Sequence, residues 1–142
     1  MQQELYVINH VSMITGFTDR TIRSYIAGGM LKGEKINGMW HFTPEDVKAF
    51  IDIPSVRAKI HSKNNGMIYD FLSDKFKKED KACLILDLPC ADAQKTMKSI
   101  TSGISNGNFT DIEFTFEMLG TLPRFILKGS KSEVLSIAAE YL

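Results

Sequence analysis

The chain has 142 residues, of which 44% are apolar and 24% are charged, and its 17 basic and 17 acidic side chains give no net charge. This length suffices for one full core or for two small domains that share an interface. We expect no membrane-spanning helix, because the apolar runs stay below about 18 residues. We also expect no secretory signal, because no basic segment precedes an apolar one near the N-terminus. Two cysteines are too few for a disulfide scaffold, so the sequence favours a reduced, cytoplasmic protein.

Two short helices are predicted near the N-terminus. The first covers 8–14, with Asn9 as a possible N-cap, and the second covers 19–27. Thr18 precedes the second helix, where its hydroxyl can accept a hydrogen bond from the first free amides. This helix ends at a glycine pair, and its apolar face is formed by Ile22, Tyr25 and Ile26.

A hairpin and a third helix are predicted next. Asn37-Gly38, between two short strands, is the strongest two-residue hairpin signal in the chain. Pairing around this turn sets Lys35 opposite Trp40. The third helix starts after Thr43, with a proline at its first position and two acidic residues in its first turn. Its buried face is predicted to consist of Val47, Phe50 and Ile51.

Two punctuation signals suggest a linker in the middle of the chain. Pro54 follows an apolar helical pattern and predicts a stop. Asn64-Asn65-Gly66 predicts a turn or the end of a short basic helix. The sequence therefore divides into a first domain over 1–53, a linker over 54–66 and a second domain over 67–142.

The second domain is predicted to contain a three-stranded, largely antiparallel sheet. A buried strand over 82–88 contains Cys83, which we expect in the core, and a hairpin with a loop at Gly120-Thr121 supplies the other two strands. Helices are expected over 67–78, 91–104 and 131–142. The fold class is therefore α+β.

The alternating pattern of the C-terminal hairpin predicts its register. A two-residue loop at 120–121 sets two apolar pairs on one face and two opposite-charge pairs on the other. We expect helices 91–104 and 131–142 to cover the apolar face. The charged face is then expected to stay open, and it can contact a partner subunit, bind an effector or face solvent. Its two glutamates either form cross-strand salt bridges or bind a cationic effector. The predicted pairs are Phe116–Phe125, Phe114–Leu127, Glu117–Arg124 and Glu113–Lys128.

The segment YVINHVSMITGFTDRTIRSYIAGGMLK resembles the opening of MerR-family transcription regulators, without gaps. The resemblance covers about one third of the chain and implies a winged helix-turn-helix that binds DNA. In such a fold the recognition helix, about 18–27, enters the major groove, and the wing, about 33–42, lies on the backbone. The matching positions are Ile8, Thr15-Gly16, Arg20-Thr21-Ile22-Arg23, Tyr25, Gly29-Met30-Leu31-Lys32, Asn37-Gly38, Phe42 and Glu45-Asp46-Val47.

The second predicted helix has side chains suited to the major groove. Arg20 and Arg23 are three residues apart and project from one face. An arginine can bind guanine with two hydrogen bonds or clamp a phosphate. Thr18 and Thr21 add short donors near the backbone. Alternatively, Asp19 pairs with Arg23 and both side chains are simply solvated.

The wing departs from the family pattern in having Met-Trp-His-Phe and no arginine. Lys32 and Lys35 can substitute in phosphate contact, and His41 can donate a hydrogen bond. Trp40 either packs against the third helix or contacts the DNA backbone. The order Trp40-His41-Phe42 is equally similar to excisionase-type winged domains.

The distribution of charge bears on how such a domain binds DNA. Residues 1–54 carry five basic and six acidic side chains, so useful affinity requires two copies acting together. MerR regulators dimerise through a long helix that is not visible in this sequence. We therefore expect a homodimer held by residues 67–142, whose strand and helix order resembles one module of GyrI-like effector-binding domains. A small-molecule effector of unknown identity is consistent with that resemblance.

No catalytic constellation or cofactor motif is found, so we expect a protein that is not an enzyme. Cys90 follows a predicted strand and is interpreted as unreactive, although a helix N-terminus beside it would lower its pKa. The clustered cysteines of MerR metal sensors are missing. The sequence thus predicts a transcription regulator that binds double-stranded DNA. Two alternatives remain, an excisionase-like architectural DNA-binding protein and a winged-helix protein-interaction adaptor that does not bind DNA.

Overall fold

The computed structural model describes residues 5–89 and 92–142. In this part of the chain, six helices and two three-stranded antiparallel sheets form a mixed α+β fold. None of the described helices is long and apolar enough to cross a membrane. The elements are β1 (Tyr6–Val7), α1 (Ile8–Thr15), α2 (Asp19–Ala27), β2 (Glu34–Ile36), β3 (Met39–Phe42), α3 (Pro44–Ile51), α4 (Pro54–Ser73), β4 (Lys81–Asp87), α5 (Ala93–Asn106), β5 (Glu113–Leu119), β6 (Leu122–Ser130) and α6 (Lys131–Tyr141).

The first three helices lie where the sequence predicted them. Thr18 caps α2, and its Oγ1 accepts from the backbone amide of Thr21 at 3.2 Å. Thr43 and Asp46 form a reciprocal capping box at the start of α3. The prediction of Asn9 as an N-cap is wrong, because α1 begins earlier, after Val7. The buried face of α3 consists of Val47, Phe50 and Ile51, as predicted.

The β2–β3 hairpin has the predicted turn and register. Asn37 and Gly38 have φ values of 52° and 80°, as a type I′ turn requires, and Lys35 pairs with Trp40. A strand that the sequence did not predict, β1, pairs with the other side of β3. The first sheet therefore has the order β1-β3-β2.

The predicted stop at Pro54 and the predicted turn or helix end at 64–66 are wrong, because α4 is one continuous helix through this segment. Pro54 is its first residue rather than a stop, and the predicted helix over 67–78 ends earlier, at Ser73. Val56, Ile60 and Asn64 are all buried. Their spacing of four residues gives α4 a face that packs on the core. Burial of the apolar Val56 and Ile60 outweighs the helix propensity lost in this helix, which is about 1 kcal/mol at a glycine and less at an asparagine.

The second sheet has the order β4-β6-β5, and both pairings are antiparallel. All four predicted cross-strand pairs of the β5–β6 hairpin are present. The expectation that β4 is a buried strand with Cys83 in the core is wrong, because β4 is a partly exposed edge strand. Cys83 is only partly buried, and burial raises the pKa of its thiol. The prediction for Cys90 lies outside the described residues.

The apolar face of the second sheet is covered, and the opposite face is covered in part, since Ile85 and Glu113 on it are exposed. Helices α5 and α6 pack with the apolar face, whose Phe114, Phe116, Phe125 and Leu127 are 1–2% exposed. The expectation that the opposite face is open is wrong at Thr115 and Glu117, which are 5% and 4% exposed. Helix α4 lies over that face and α1 packs against β5. One continuous core therefore joins the two halves of the chain.

Candidate nucleic-acid interface

Helix α2 presents two arginines to solvent. Arg20 and Arg23 are exposed, whereas Ile22 between them is fully buried in the core. The hydroxyls of Thr18 and Thr21 are 2.9 Å apart and serve the N-cap. Among the residues of this region that were predicted to contact DNA, the two arginines therefore contribute least to the stability of the fold.

Arg23 forms the ion pair that the sequence offered as an alternative. Its Nε lies 3.3 Å from Asp19 Oδ1, and the two side chains are 59% and 64% exposed. An exposed pair one helical turn apart is worth about 0.3–0.5 kcal/mol. A phosphate or a guanine edge can compete with an interaction of that size, so the pair orients Arg23 without withdrawing it from a partner.

The predicted contact residues in and near the β2–β3 hairpin differ in their exposure and in their contacts within the protein. Lys35 Nζ lies 5.6 Å from the centroid of the Trp40 ring, within cation–π range. Trp40 is half-buried and packs on the core. His41 Nδ1 lies 3.0 Å from the carbonyl of Met39, so its ring is engaged within the strand. Lys32 is exposed just beyond α2.

A cleft of about 330 Å³ brings α2 and the hairpin together. Arg23 and Asp19 line one side, and Gly38, Met39 and Trp40 line the other. The cleft thus unites two of the predicted contact residues, Arg23 and Trp40. The remaining predicted residues lie outside its lining; they are Thr18, Arg20, Thr21, Lys32, Lys35 and His41.

The charged face of the second sheet forms an arrangement that the sequence did not predict. Glu117 is buried, and its Oε2 accepts from His61 Nδ1 of α4 at 2.8 Å. Arg124 Nη1 lies 4.0 Å from Glu117 Oε1. Its hydrogen bonds go instead to Asp87, where Nε donates to Oδ1 at 2.7 Å and Nη2 donates to Oδ2 at 3.0 Å. These hydrogen bonds lower the pKa of Asp87. Lys128 donates to the carbonyl of Met67 across the same interface.

Comparisons with protein-family models, curated proteins and solved structures find no match for this chain. The resemblance to MerR regulators consequently rests on the residues that carry it.

Proposed function

We propose that this protein is a sequence-specific, DNA-binding transcription regulator of MerR type, built on a winged helix-turn-helix. In this proposal α2 enters the major groove and the β2–β3 hairpin lies on the neighbouring backbone. The observation that carries it is the exposure of Arg20 and Arg23 on α2, opposite the fully buried Ile22. Guanidinium groups held on a rigid helix by its buried face are suited to reading guanine.

The hairpin supports the proposal through position and charge. Its tight type I′ turn projects beyond the first sheet, and Lys35 and Lys32 are exposed around it. Arg23 and Trp40 both line the cleft between α2 and the hairpin. Cationic groups on both elements can therefore neutralise phosphates on either side of a groove.

The experiment begins with selection of bound sites from random duplex DNA, followed by titration of the selected site. Arg23→Ala is expected to weaken specific binding by about 1–3 kcal/mol, since it removes one base or phosphate contact. Its thermal stability should stay nearly unchanged, because the pair with Asp19 is exposed. Lys95→Ala is the matched control, as it removes an exposed cation from α5. Equal affinity of Arg23→Ala and the parent protein for the selected site would refute the proposal.

We infer that the regulator is a homodimer held through the region 67–142. The end of α4 and the segment after it expose three large apolar side chains; Tyr69, Leu72 and Phe76 are 68%, 73% and 87% exposed. Tyr69 and Leu72 lie three residues apart on α4 and share one face of that helix, and Phe76 lies beyond its end, so this region presents an apolar surface to a second copy. A second copy would also double the few basic side chains of residues 1–54.

Two observations favour other functions. The order Trp40-His41-Phe42 in β3 is compatible with an excisionase-like architectural protein, which would bend DNA and bind with weak sequence preference. The Asp19–Arg23 pair and the slightly acidic first domain are compatible with a protein-interaction adaptor. Titrations of generic DNA at several salt concentrations separate these functions, because an adaptor lacks the steep salt dependence of phosphate binding. A bending assay on the selected site then separates a regulator from an architectural protein.

A further inference from the structure

A second cleft lies where the two halves of the chain meet. We call it the α1–α4–β5 cleft, after the helices and the strand that form most of its wall. Its volume is about 580 Å³, within the range typical of small-molecule sites, about 300–1,000 Å³. Its lining combines buried polar groups, charged groups and apolar side chains. Each of these three sets restricts the chemistry of an occupant.

Two buried polar side chains in the cleft lack a partner among the described residues. Asn64 of α4 is 1% exposed, and neither its Oδ1 nor its Nδ2 has a hydrogen-bond partner. Thr115 of β5 is 5% exposed, and its Oγ1 is likewise unpartnered. Buried polar atoms are nearly always paired, because leaving one unpaired costs about 1–3 kcal/mol. An amide and a hydroxyl lining one cleft therefore call for a polar group that both donates and accepts.

The charges that line the cleft balance. Lys63 of α4 and Lys128 of β6 supply two cations, and Asp70 of α4 and Glu113 of β5 supply two carboxylates. Such a lining favours a ligand that carries one charge of each sign and no net charge. A phosphate ester would meet two carboxylates and be repelled by them.

Apolar side chains complete the wall. Met13 of α1, Met67 of α4 and Ile112 before β5 all line the cleft. Methionine thioethers adapt their shape to a small apolar group. The cleft thus presents an apolar surface beside its charged and neutral polar groups.

We propose that the α1–α4–β5 cleft binds a small zwitterion with an apolar side chain, of the amino-acid or dipeptide class. The ligand carboxylate faces Lys63 and Lys128, and its ammonium faces Asp70 and Glu113. An amide or carboxylate oxygen of the ligand, together with its N–H groups, pairs with Asn64 and Thr115. A bound zwitterion would bridge α1 of the first half and β5 of the second.

The test is direct binding to the full chain, with no DNA present, so its outcome does not depend on the proposed function. L-Leucine and L-leucyl-L-leucine are the probes, measured by calorimetry and by thermal shift. N-acetyl-L-leucine lacks the ammonium group and L-leucinamide lacks the carboxylate. We expect at least one of the two zwitterions to bind with a dissociation constant below about 1 mM, and its singly charged analogues to bind about tenfold more weakly or worse. The zwitterion that binds with the lower dissociation constant shows whether the ligand is an amino acid or a dipeptide.

Substitutions at the two unpartnered groups separate binding from folding. Thr115→Val and Asn64→Leu remove polar atoms that no described residue satisfies. Both variants should fold as stably as the parent or more so, yet lose about tenfold or more in affinity for the zwitterion. Thr101→Val is the matched control, because Thr101 is also fully buried but its hydroxyl donates to Met97 within α5. That variant should lose stability and keep its affinity.

Two results would overturn the proposal. One is failure of both zwitterions to bind at 10 mM, a concentration roughly tenfold above the expected dissociation constant. The other is a loss of stability in Thr115→Val and Asn64→Leu with no change in affinity. The second result would mean that ordered water satisfies these groups and that they serve the fold alone.

Discussion

The contact between His61 and Glu117 gives the sharpest test of how α4 is held on the second sheet. Substituting His61 by alanine removes the 2.8 Å hydrogen bond to a carboxylate that is only 3% exposed. Hydrogen bonds to charged groups contribute about 1.5–3 kcal/mol, and a buried carboxylate that loses its donor is further penalised. Arg124 lies 4.0 Å away on the other oxygen and offsets part of that loss. We expect His61→Ala to lower the free energy of unfolding by about 2 kcal/mol.

Urea denaturation followed by circular dichroism measures this change, with Glu117→Gln and the double variant completing a thermodynamic cycle. The coupling energy between the two positions should be about 1–2 kcal/mol. Lys48→Ala is the control. It breaks the 3.8 Å pair with Asp52, whose side chains are 63% and 39% exposed, and should cost less than about 0.5 kcal/mol. A coupling energy near zero would refute the reasoning, since it would show that Glu117 does not depend on His61.

Three further predictions concern helix stability, pH and assembly. Gly66→Ala should stabilise the protein by about 0.5–1 kcal/mol in urea denaturation, because the added methyl group meets nothing within 4 Å in the middle of α4. Gly103→Ala in α5 should stabilise the protein less than Gly66→Ala does, because the ring of Tyr141 has to move away from the added methyl group. Arg124 lowers the pKa of Asp87 in the folded state, so the stabilisation from Asp87 is complete above its unfolded pKa of about 3.9 and is lost as pH falls through the folded value. Accordingly, the parent protein should have a higher urea midpoint than Asp87→Asn near neutral pH, and this difference should disappear in acid. A difference that stays constant with pH would contradict the prediction. Leu72→Glu should be a monomer by light scattering at tens of micromolar. Leu135→Glu, at an exposed position of α6, is the control and should remain a dimer. A parent protein that is itself monomeric would exclude the proposed dimer.

The local elements of this fold were predictable where a short-range signal acts alone. The N-caps of α2 and α3 and the turn of the first hairpin depend only on residues that are close in sequence. They are formed by Thr18, Thr43 and Asn37-Gly38, and the helices and hairpin that they predict are present. The register of β5 and β6 was predictable because apolar and charged pairs all agree on it. These are cases in which local preference and tertiary structure coincide.

Helix α4 could not be predicted from Asn64-Asn65-Gly66, which favours a turn when taken locally. The signal that could have found it is the continuous spacing of Val56, Ile60, Asn64, Met67 and Phe71 at four, four, three and four residues. Asparagine at the centre of that stripe obscured it. The burial of Glu117 and Thr115 was beyond any local pattern, because alternation within a strand does not reveal which distant segment covers its polar face.

For the candidate interface, the exposure of Arg20 and Arg23 followed from helical periodicity alone. The sequence named two alternatives for Arg23, an ion pair with Asp19 and the proposed contact with DNA, but could not decide between them, since both use the same face of α2. The cleft between α1, α4 and β5 was not foreseen. It depends on packing between segments that lie about 50 and 100 residues apart along the chain.

The shared core also bears on how proteins with this architecture can diversify. In many regulators a DNA-reading domain is exchanged whole by recombination, because a flexible tether makes few demands on its sequence. Here α1 packs directly against β5, and Lys98 of α5 places its ammonium 4.0 Å from the ring of Tyr6. A transplanted first half would have to carry a surface complementary to a foreign sheet. Under the proposed DNA-binding function, change in target sequence is therefore expected to come from point substitutions on the outer face of α2. Hybrid genes joined near Pro54 should encode chains that misfold or aggregate.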